Sequence, residues 1–257
     1  MARVVPNLND HLVGSRTDPD VARVIEAFAE AGKRLAEEVG RAALDGATGY
    51  AGAANATGDD QKKLDLRAND IVIEHLRRTG LVAAVVSEEL ADVAVLDDSA
   101  RFIVCTDPLD GSSNTDINGA VGTIFGIYRR RGNTLDSNDW LRAGIEQIAA
   151  GYVMYGTSTL LVYTAGDGSH GFTLDRRDDA FALTHASIRC PVQGKYFSAN
   201  LGKLGDWPEG ILRYIDHVTH RETSARLPGS LRYAGALVAD VHRNLIEGGI
   251  YFYPADA

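Results

Sequence analysis

The stretch "RFIVCTDPLDGSSNTD" constrains this chain more than any other, because an apolar strand pattern at residues 101–106 runs straight into Asp107, Asp110 and Asp116. The acids are interleaved with Pro108, Gly111, Ser112, Ser113 and Asn114, all turn-forming types. The strand must therefore end at the margin of a sheet, where carboxylates can leave the core. Asp, Pro and Gly also build ordinary capping turns, and that reading accounts for the D-P-x-D-G spacing taken alone. It does not account for so much negative charge beside a buried strand, for which a bound cation is the natural complement.

The 257 residues suit one large or two modest domains, and 45 % hydrophobic residues can bury a substantial core. A formal charge of −9, with no Lys/Arg-rich run, argues against a nucleic-acid partner. An anionic substrate would need a locally reversed field, again most simply from a cation. Cys105 and Cys190 lie outside any CxxC or Cys/His cluster and read as free thiols of a reducing, cytoplasmic compartment. The start "MARVVPNLNDHLVG" lacks the continuous apolar run of a leader, and no membrane segment is expected.

"TDPDVARVIEAFAEAGKRLAEEVGRAAL" puts Asp18 at an N-cap and Pro19 at the first helical position. Val21, Val24, Ile25, Phe28, Leu35 and Val39 follow at helical spacing, which predicts a long amphipathic helix. "DGATGYAGAANATGDDQ" offers no packed face and is expected to be a mobile loop. "KKLDLRANDIVIEHLRRTG" returns to helical spacing and closes at Gly80. Strand patterns then dominate from "LVAAVVSEE" to "GFTLDRRDDAFALT". Within them "GDGSHG" matches GxGxxG, but it joins two strand runs instead of opening a helix, so it reads as a hairpin turn. A strand near "KYFSAN", helices at "PEGILRYIDHVTH" and "GALVADVHRNLIEG", and a last strand "GIYFYP" complete the order. The mixture predicts layered α and β without strict βαβ alternation.

Six acids gather where strands and loops end. Asp59 and Asp65 flank a loop-to-helix junction, Glu88 and Glu89 follow "LVAAVVS", and Asp107 and Asp110 follow "RFIVCT". A strand end holds a carboxylate still while leaving its head outside the core. Oxygen-only ligands select hard ions such as Mg²⁺ or Mn²⁺, and closely spaced acids can serve two ions roughly 3.5–4 Å apart. Gly111, Ser112 and Ser113 add successive backbone N–H groups, a cradle for a phosphate oxyanion. Lys62 and Lys63 read as solvated helix charges, and His217, His220 and His242 as surface or satisfied helix residues instead of zinc ligands. Ser112 and Ser113 sit in no G-x-S-x-G elbow, which disfavours a serine nucleophile.

"TGDDQKKLD", "SEE", "CTDPLDGSSNTD", "VGTIFGIYRR", "GFTLD" and "RYAGALVADVHRNLIEGGIYFYP" together resemble class I fructose-1,6-bisphosphatase over residues 18–257. "DPLDGSSN" is specific to that family and its sedoheptulose-bisphosphatase relatives; the shorter D-P-[IL]-D-G core extends to inositol monophosphatases. The resemblance implies the α/β (α+β) class and a layered α-β-α-β-α sugar-phosphatase fold. An N-terminal domain would cover residues 1–187 and an incomplete C-terminal sugar-phosphate domain residues 188–257. The implied reaction is hydrolysis of the C1 phosphate of fructose 1,6-bisphosphate, in gluconeogenesis or the Calvin cycle. About two or three Mg²⁺ ions per subunit are implied, with Mn²⁺ as a substitute.

By the same resemblance, Glu88, Glu89, Asp107, Asp110 and the Leu109 carbonyl correspond to metal ligands. Asp59 and Asp65 correspond to the pair that orients the attacking water, with Glu89 beside them as a catalytic residue. Asp110, Gly111, Ser112 and Ser113 would meet the scissile phosphate, and Asn114 would support the turn. Asn200, Arg232, Tyr233 and Tyr253 would grip the second phosphate, and Leu237 stands where relatives often carry a sugar-contacting methionine. The family habit is a homotetramer, in which the arginine at the place of Arg232 serves a neighbouring subunit.

The chain also departs from the family pattern. Lys203 replaces a tyrosine near the second phosphate, and Arg101 with Phe102 replaces the Lys-Tyr pair of relatives that respond to AMP, which puts AMP inhibition in doubt although Arg129 is retained. The family continues for about seventy residues past "YFYPADA", with a further metal-binding glutamate, a phosphate-binding lysine and core strands, a difference expected to cost several kcal/mol. Three other readings stay open on sequence alone: sedoheptulose-1,7-bisphosphatase, an inositol-monophosphatase-like enzyme, and a truncated inactive binding subunit.

Overall fold

Asn7 and Asp10 cap each other's backbone to start α1 (Leu8–Gly14), and Asp18 accepts the Asp20 N–H to start α2 (Pro19–Arg41). The structure, a computed structural model, describes residues 5–47, 49–54, 60–132, 134–219 and 229–254. Two short strands, β1 (Tyr50–Ala54) and β2 (Asp60–Lys62), pair antiparallel where a mobile loop was expected. Their ladder is made by backbone groups, which need no apolar side chains. α3 (Lys63–Thr79) follows and stops at Gly80, as its spacing predicts.

The further strands of the first unit are β3 (Val82–Ser87), β4 (Ala94–Val95), β5 (Phe102–Asp110), β6 (Val121–Arg129), β7 (Ala149–Tyr155), β8 (Thr159–Thr164), β9 (Ser169–Asp175) and β10 (Ala180–Ile188). They form one eight-stranded sheet in the order β10-β9-β8-β7-β6-β5-β3-β4. From β5 to β9 each strand runs antiparallel to its sequence neighbour, whereas β3 lies parallel to β5. The β8–β9 hairpin turns through Gly166 and Gly168, both at positive φ, so the GxGxxG match is a turn.

Helices α1, α2 and α3 cover one face of this sheet. Val24, Ile25, Phe28 and Leu35 of α2 and Leu64, Ala68, Val72 and Leu76 of α3 join Val85, Val104, Phe125 and Val153 in a continuous core. The Phe28 and Phe125 rings stack at 4.0 Å. Burial of this order, roughly 1.5–3 kcal/mol per large side chain, is what holds the helices to the sheet. A smaller cluster of Ala83, Ala84, Ile103 and Tyr128 lies on the other face.

The chain divides into two units, Met1–Ser187 and Ile188–Ala257. In the second, β11 (Tyr196–Ser198) is the central strand of a three-stranded parallel sheet. α4 (Glu209–Thr219) packs Ile215 and Val218 with Phe197, while β12 (Ser230–Leu231) and β13 (Gly249–Tyr251) flank β11. α5 (Leu237–Glu247) connects those two outer strands. The fold is thus mixed α+β, as expected. Among the described residues no helix is long and apolar enough to cross a membrane.

Candidate active site

The parallel pairing of β3 with β5 assembles the site. Ser87 stands opposite Thr106 in register, so the residues after each strand emerge at the same end of the sheet. The Glu88 N–H donates to the Thr106 carbonyl at 3.1 Å, which sets Glu88 and Glu89 beside Asp107. Ser87 steadies this end: its hydroxyl donates to Asn69 Oδ1 of α3 at 2.7 Å and accepts the Glu89 N–H at 3.3 Å.

A bulge then places Asp110. Against β6, Asp107 faces Ile124 and Asp110 faces Gly122, so β5 holds one residue more than its partner across this interval. Such an insertion re-aims the side chains around it. The bulge is propped from the core: Thr123 Oγ1 donates to the Pro108 carbonyl at 2.9 Å and lies 2.8 Å from the Tyr155 hydroxyl. Leu109 is buried, and its N–H donates to Asp107 Oδ1 at 3.0 Å.

Next comes a tight turn. Gly111 sits at φ 74°, a left-handed conformation that glycine adopts without a Cβ penalty, and opens a 3₁₀ turn over Ser112–Ile117. The first N–H groups of such a turn have no partner within it, so those near Ser112 and Ser113 can meet an anion. Ser113 is exposed and Ser112 half-buried. Asn114 is buried behind them and donates through Nδ2 to the Ala120 carbonyl at 3.1 Å. Its expected supporting position is therefore where the structure has it.

The electrostatics are those of crowded acids. Burial, then Asp110 and Glu88, and finally Glu89, push the Asp107 carboxyl up to about 8, a rise that the Leu109 N–H only partly opposes. Asp65, 3 % exposed, is also raised, first by burial and further by Glu88, while the Lys62 N–H and the Ser112 side chain pull the other way. One Asp65 oxygen takes the Lys62 N–H at 2.8 Å; the other, Oδ1, is buried with no hydrogen-bond partner among the described residues. Asp65, Glu88, Glu89, Asp107 and Asp110 therefore share one field. Asp59 lies outside the described residues.

Among the described residues no group of three or more His, Cys, Asp or Glu side chains is arranged to hold a metal ion. The donors present nonetheless suit a hard cation. They are all oxygen, burial and then the neighbouring acids push the Asp107 carboxyl up to about 8, and one buried carboxylate oxygen has no partner among the described residues. Magnesium in particular is bound through a few carboxylates, keeping water or substrate oxygens for its other positions.

Lys62 corrects its sequence reading. It is 3 % exposed, not solvated, with its ammonium 2.7 Å from Asp116 Oδ2. Lys63 is exposed, as expected. Sequence reasoning missed Lys62 because its partner lies 54 residues away. Thr123 and Tyr155 were missed as well, since a threonine or tyrosine in an alternating strand carries no signature of a polar prop. His217 is exposed on α4, and His220 lies outside the described residues.

The second unit places the remaining candidates by the same strand logic. Its three strands are parallel, with Phe197 opposite Leu231 and Ser198 opposite Tyr251, so Asn200, Arg232, Tyr233 and Tyr253 all follow carboxyl ends at one edge. That edge is where open α/β sheets bind ligands. The Arg232 N–H donates to the Phe197 carbonyl at 2.9 Å, and its guanidinium lies 5.4 Å from the centre of the Tyr196 ring. Lys203 Nζ lies 6.0 Å from the Tyr253 ring centre, which keeps a cation at this edge. Asn200 spends its Oδ1 on the Gly202 N–H at 3.1 Å.

Comparison with known proteins agrees across both units. The family described as "Fructose-1-6-bisphosphatase, N-terminal domain" matches residues 7–186, and "Fructose-1-6-bisphosphatase, C-terminal domain" matches residues 190–257. A class 1 fructose-1,6-bisphosphatase of Acaryochloris marina is 50 % identical over 242 residues, covering 93 % of this chain and 72 % of that protein. One from Chlorobium phaeobacteroides is 43 % identical over 253 residues, covering 96 % and 74 %. A crystal structure of Leishmania major fructose-1,6-bisphosphatase in holo form superimposes with a TM-score of 0.91 at 35 % identity, covering 99 % of this chain and 80 % of that one.

Proposed function

The chain belongs to the fructose-1,6-bisphosphatase family, and on that premise we propose how its residues cleave a phosphate ester. It is a phosphatase of carbohydrate metabolism that hydrolyses fructose 1,6-bisphosphate, and it depends on a divalent metal. The bond broken is the C1 phosphate ester, and the metal is Mg²⁺, with Mn²⁺ able to replace it. Glu88, Glu89, Asp107, Asp110 and the Leu109 carbonyl would hold the metal. When bound, it would supply Lewis acidity at the phosphate and make the attacking water more acidic.

The chain's own residues do the rest. Asp65, fixed through Lys62, accepts a hydrogen bond from the attacking water through its buried Oδ1 and aligns it for in-line attack. Asp59 assists it. The N–H groups at Gly111, Ser112 and Ser113, with the serine hydroxyls, hold the phosphate oxygens against the field of the acids. Asn200, Lys203, Arg232, Tyr233 and Tyr253 bind the second phosphate. Two cationic side chains at that strand edge favour a bisphosphate over a monophosphate substrate. The enzyme works in the cytoplasm, consistent with the free thiols of Cys105 and Cys190, and as a homotetramer.

The observation that carries this reading is the Ser87–Thr106 register, which supports one shared site for the acids after β3 and those after β5. Phosphate release from fructose 1,6-bisphosphate in Mg²⁺ tests it with the Asp110→Asn variant. Turnover should fall by about 10³-fold or more, on the scale of losing a key transition-state group. Near-normal turnover would defeat the assignment.

A further inference from the structure

A lysine is almost never fully buried unless it is paired, and Lys62 is buried between two parts of the site. Its ammonium donates to Asp116 Oδ2 at 2.7 Å and to Thr115 Oγ1 at 3.3 Å. Thr115 in turn donates its hydroxyl to the Ser112 carbonyl at 2.7 Å. In the other direction the Lys62 backbone N–H holds Asp65 Oδ2 at 2.8 Å. A single residue thus joins the acid that aligns water to the turn that holds phosphate.

We infer that Lys62 and Asp116 form a brace that sets the spacing between Asp65 and the Ser112–Ser113 cradle, making Lys62 a positioning residue for the reaction. This rests on the phosphatase reading of the site. Two features separate the brace from an ordinary stabilising pair. The ammonium side chain is 4 % exposed while the carboxylate is 46 % exposed, so the lysine is drawn in and the aspartate stays at the surface. Every contact named here also ends on a backbone or side-chain group of the site itself. A brace of this kind matters because an error of about 1 Å in placing reacting groups can cost about 10²-fold in rate.

The competing role is direct contact between the Lys62 ammonium and a substrate phosphate, and Asp116 separates the two. If the ammonium itself acted on phosphate, neutralising Asp116 would leave it free to do so. If it acts as a brace, neutralising Asp116 damages the site as much as removing the lysine.

The test is a double-mutant cycle in the full chain. Lys62→Met, Lys62→Arg, Asp116→Asn and the double variant are assayed for kcat and KM on fructose 1,6-bisphosphate. Each protein is also titrated with inorganic phosphate in Mg²⁺. Lys62→Met and Asp116→Asn should each lower kcat by about 10- to 100-fold with KM within about threefold. The double variant should be no worse than the more damaged single one, and Lys62→Arg should recover part of the loss. Full turnover in Asp116→Asn, or losses that add in the double variant, would overturn the brace. Because Asp116 is at the surface, that variant keeps the test intact should Lys62→Met fail to fold. If the parent chain itself releases no phosphate, the phosphatase reading fails separately and the phosphate titration decides: a matched loss of about tenfold in both single variants upholds the brace, and unchanged affinity overturns it.

Discussion

Thr123 Oγ1 donates to the Pro108 carbonyl at 2.9 Å, beneath the point where β5 bulges between Asp107 and Asp110. Its single hydroxyl proton is used there, so the Tyr155 hydroxyl, 2.8 Å away, is the donor to Thr123. Thr123 is 1 % exposed and Tyr155 5 % exposed, which makes the chain Tyr155–Thr123–Pro108 a dry prop under the acids. Buried polar groups of this kind cost most when one partner is taken away and the other is left.

Thr123→Val removes the middle of the chain while keeping the shape. It should cost about 1–3 kcal/mol of stability through the two stranded oxygens, and lower kcat/KM by at least about tenfold as Asp110 loses its fixed position. Thr123→Ser, which retains the hydroxyl, should recover most of the activity. Denaturant melts alongside steady-state kinetics check both. A valine variant with parental kinetics would show that the bulge holds without its prop.

Asp107, proposed to hold the metal, should set the pH dependence of metal binding. Its carboxyl is pushed up to about 8, chiefly by burial and then by Asp110, Glu88 and Glu89, against about 3.9 in an unfolded chain. Between those values the folded, metal-free protein holds a proton that the unfolded chain releases. Stability from this group is therefore complete below about pH 4 and is lost as pH rises through about 8. A divalent cation must displace the same proton, so its affinity should climb with pH across the window, by up to about tenfold per unit. Thermal melts in Mg²⁺ against chelator should show a larger gain at pH 8 than at pH 6, and Asp107→Asn should flatten that difference. Equal gains at both pH values in the parent would contradict the site.

What was legible in the sequence was local. Asp18 with Pro19 starts α2, and Gly80 ends α3, because caps act within one turn. The acids at strand ends were readable for the same reason. Which acids meet depended on the parallel register of β3 with β5, a contact between distant segments that no window of residues encodes. Lys62 was misread because neighbouring charges suggest solvent, whereas its burial depends on Asp116 across the turn. The β1–β2 pairing was hidden because its small residues carry no periodic pattern. Asn200, Arg232, Tyr233 and Tyr253 could be grouped only by resemblance, since it is the parallel sheet that brings them to one edge.

Gly119 closes the turn proposed to hold phosphate, at a point where no side chain fits. Its N–H donates to the Asn114 carbonyl at 2.8 Å, and a Cβ built on it would lie 2.9 Å from Asn114 Cβ. Asn114 is buried and tied to the Ala120 carbonyl, so it has little room to give. Gly119→Ala should therefore cost about 1–3 kcal/mol as overpacking, and weaken inorganic phosphate binding by shifting the turn that presents Ser112 and Ser113. Calorimetric titration with phosphate in Mg²⁺ measures it. A variant of full affinity would mean that Asn114 can rearrange without moving the cradle.

Asp240 offers the corresponding test in the second unit. It is fully buried on α5, and both its oxygens accept the Ala234 N–H, at 2.9 and 3.2 Å. Arg243 Nη1 stands 3.7 Å from it, so the carboxylate has charge compensation as well as a hydrogen bond. Its effect is to pin the segment just after Arg232 and Tyr233, the residues proposed to bind the second phosphate. Asp240→Asn keeps one carbonyl oxygen for the Ala234 N–H but loses the charge, and should cost about 1–3 kcal/mol. Because the second phosphate is remote from the bond broken, the kinetic loss should appear mainly as a KM raised about tenfold, with kcat changed much less. Asp240→Ala should give the same pattern with a larger loss of stability, having no acceptor left. A fall confined to kcat would instead tie this segment to the chemical step, and unchanged kinetics in a folded variant would separate Asp240 from substrate binding altogether.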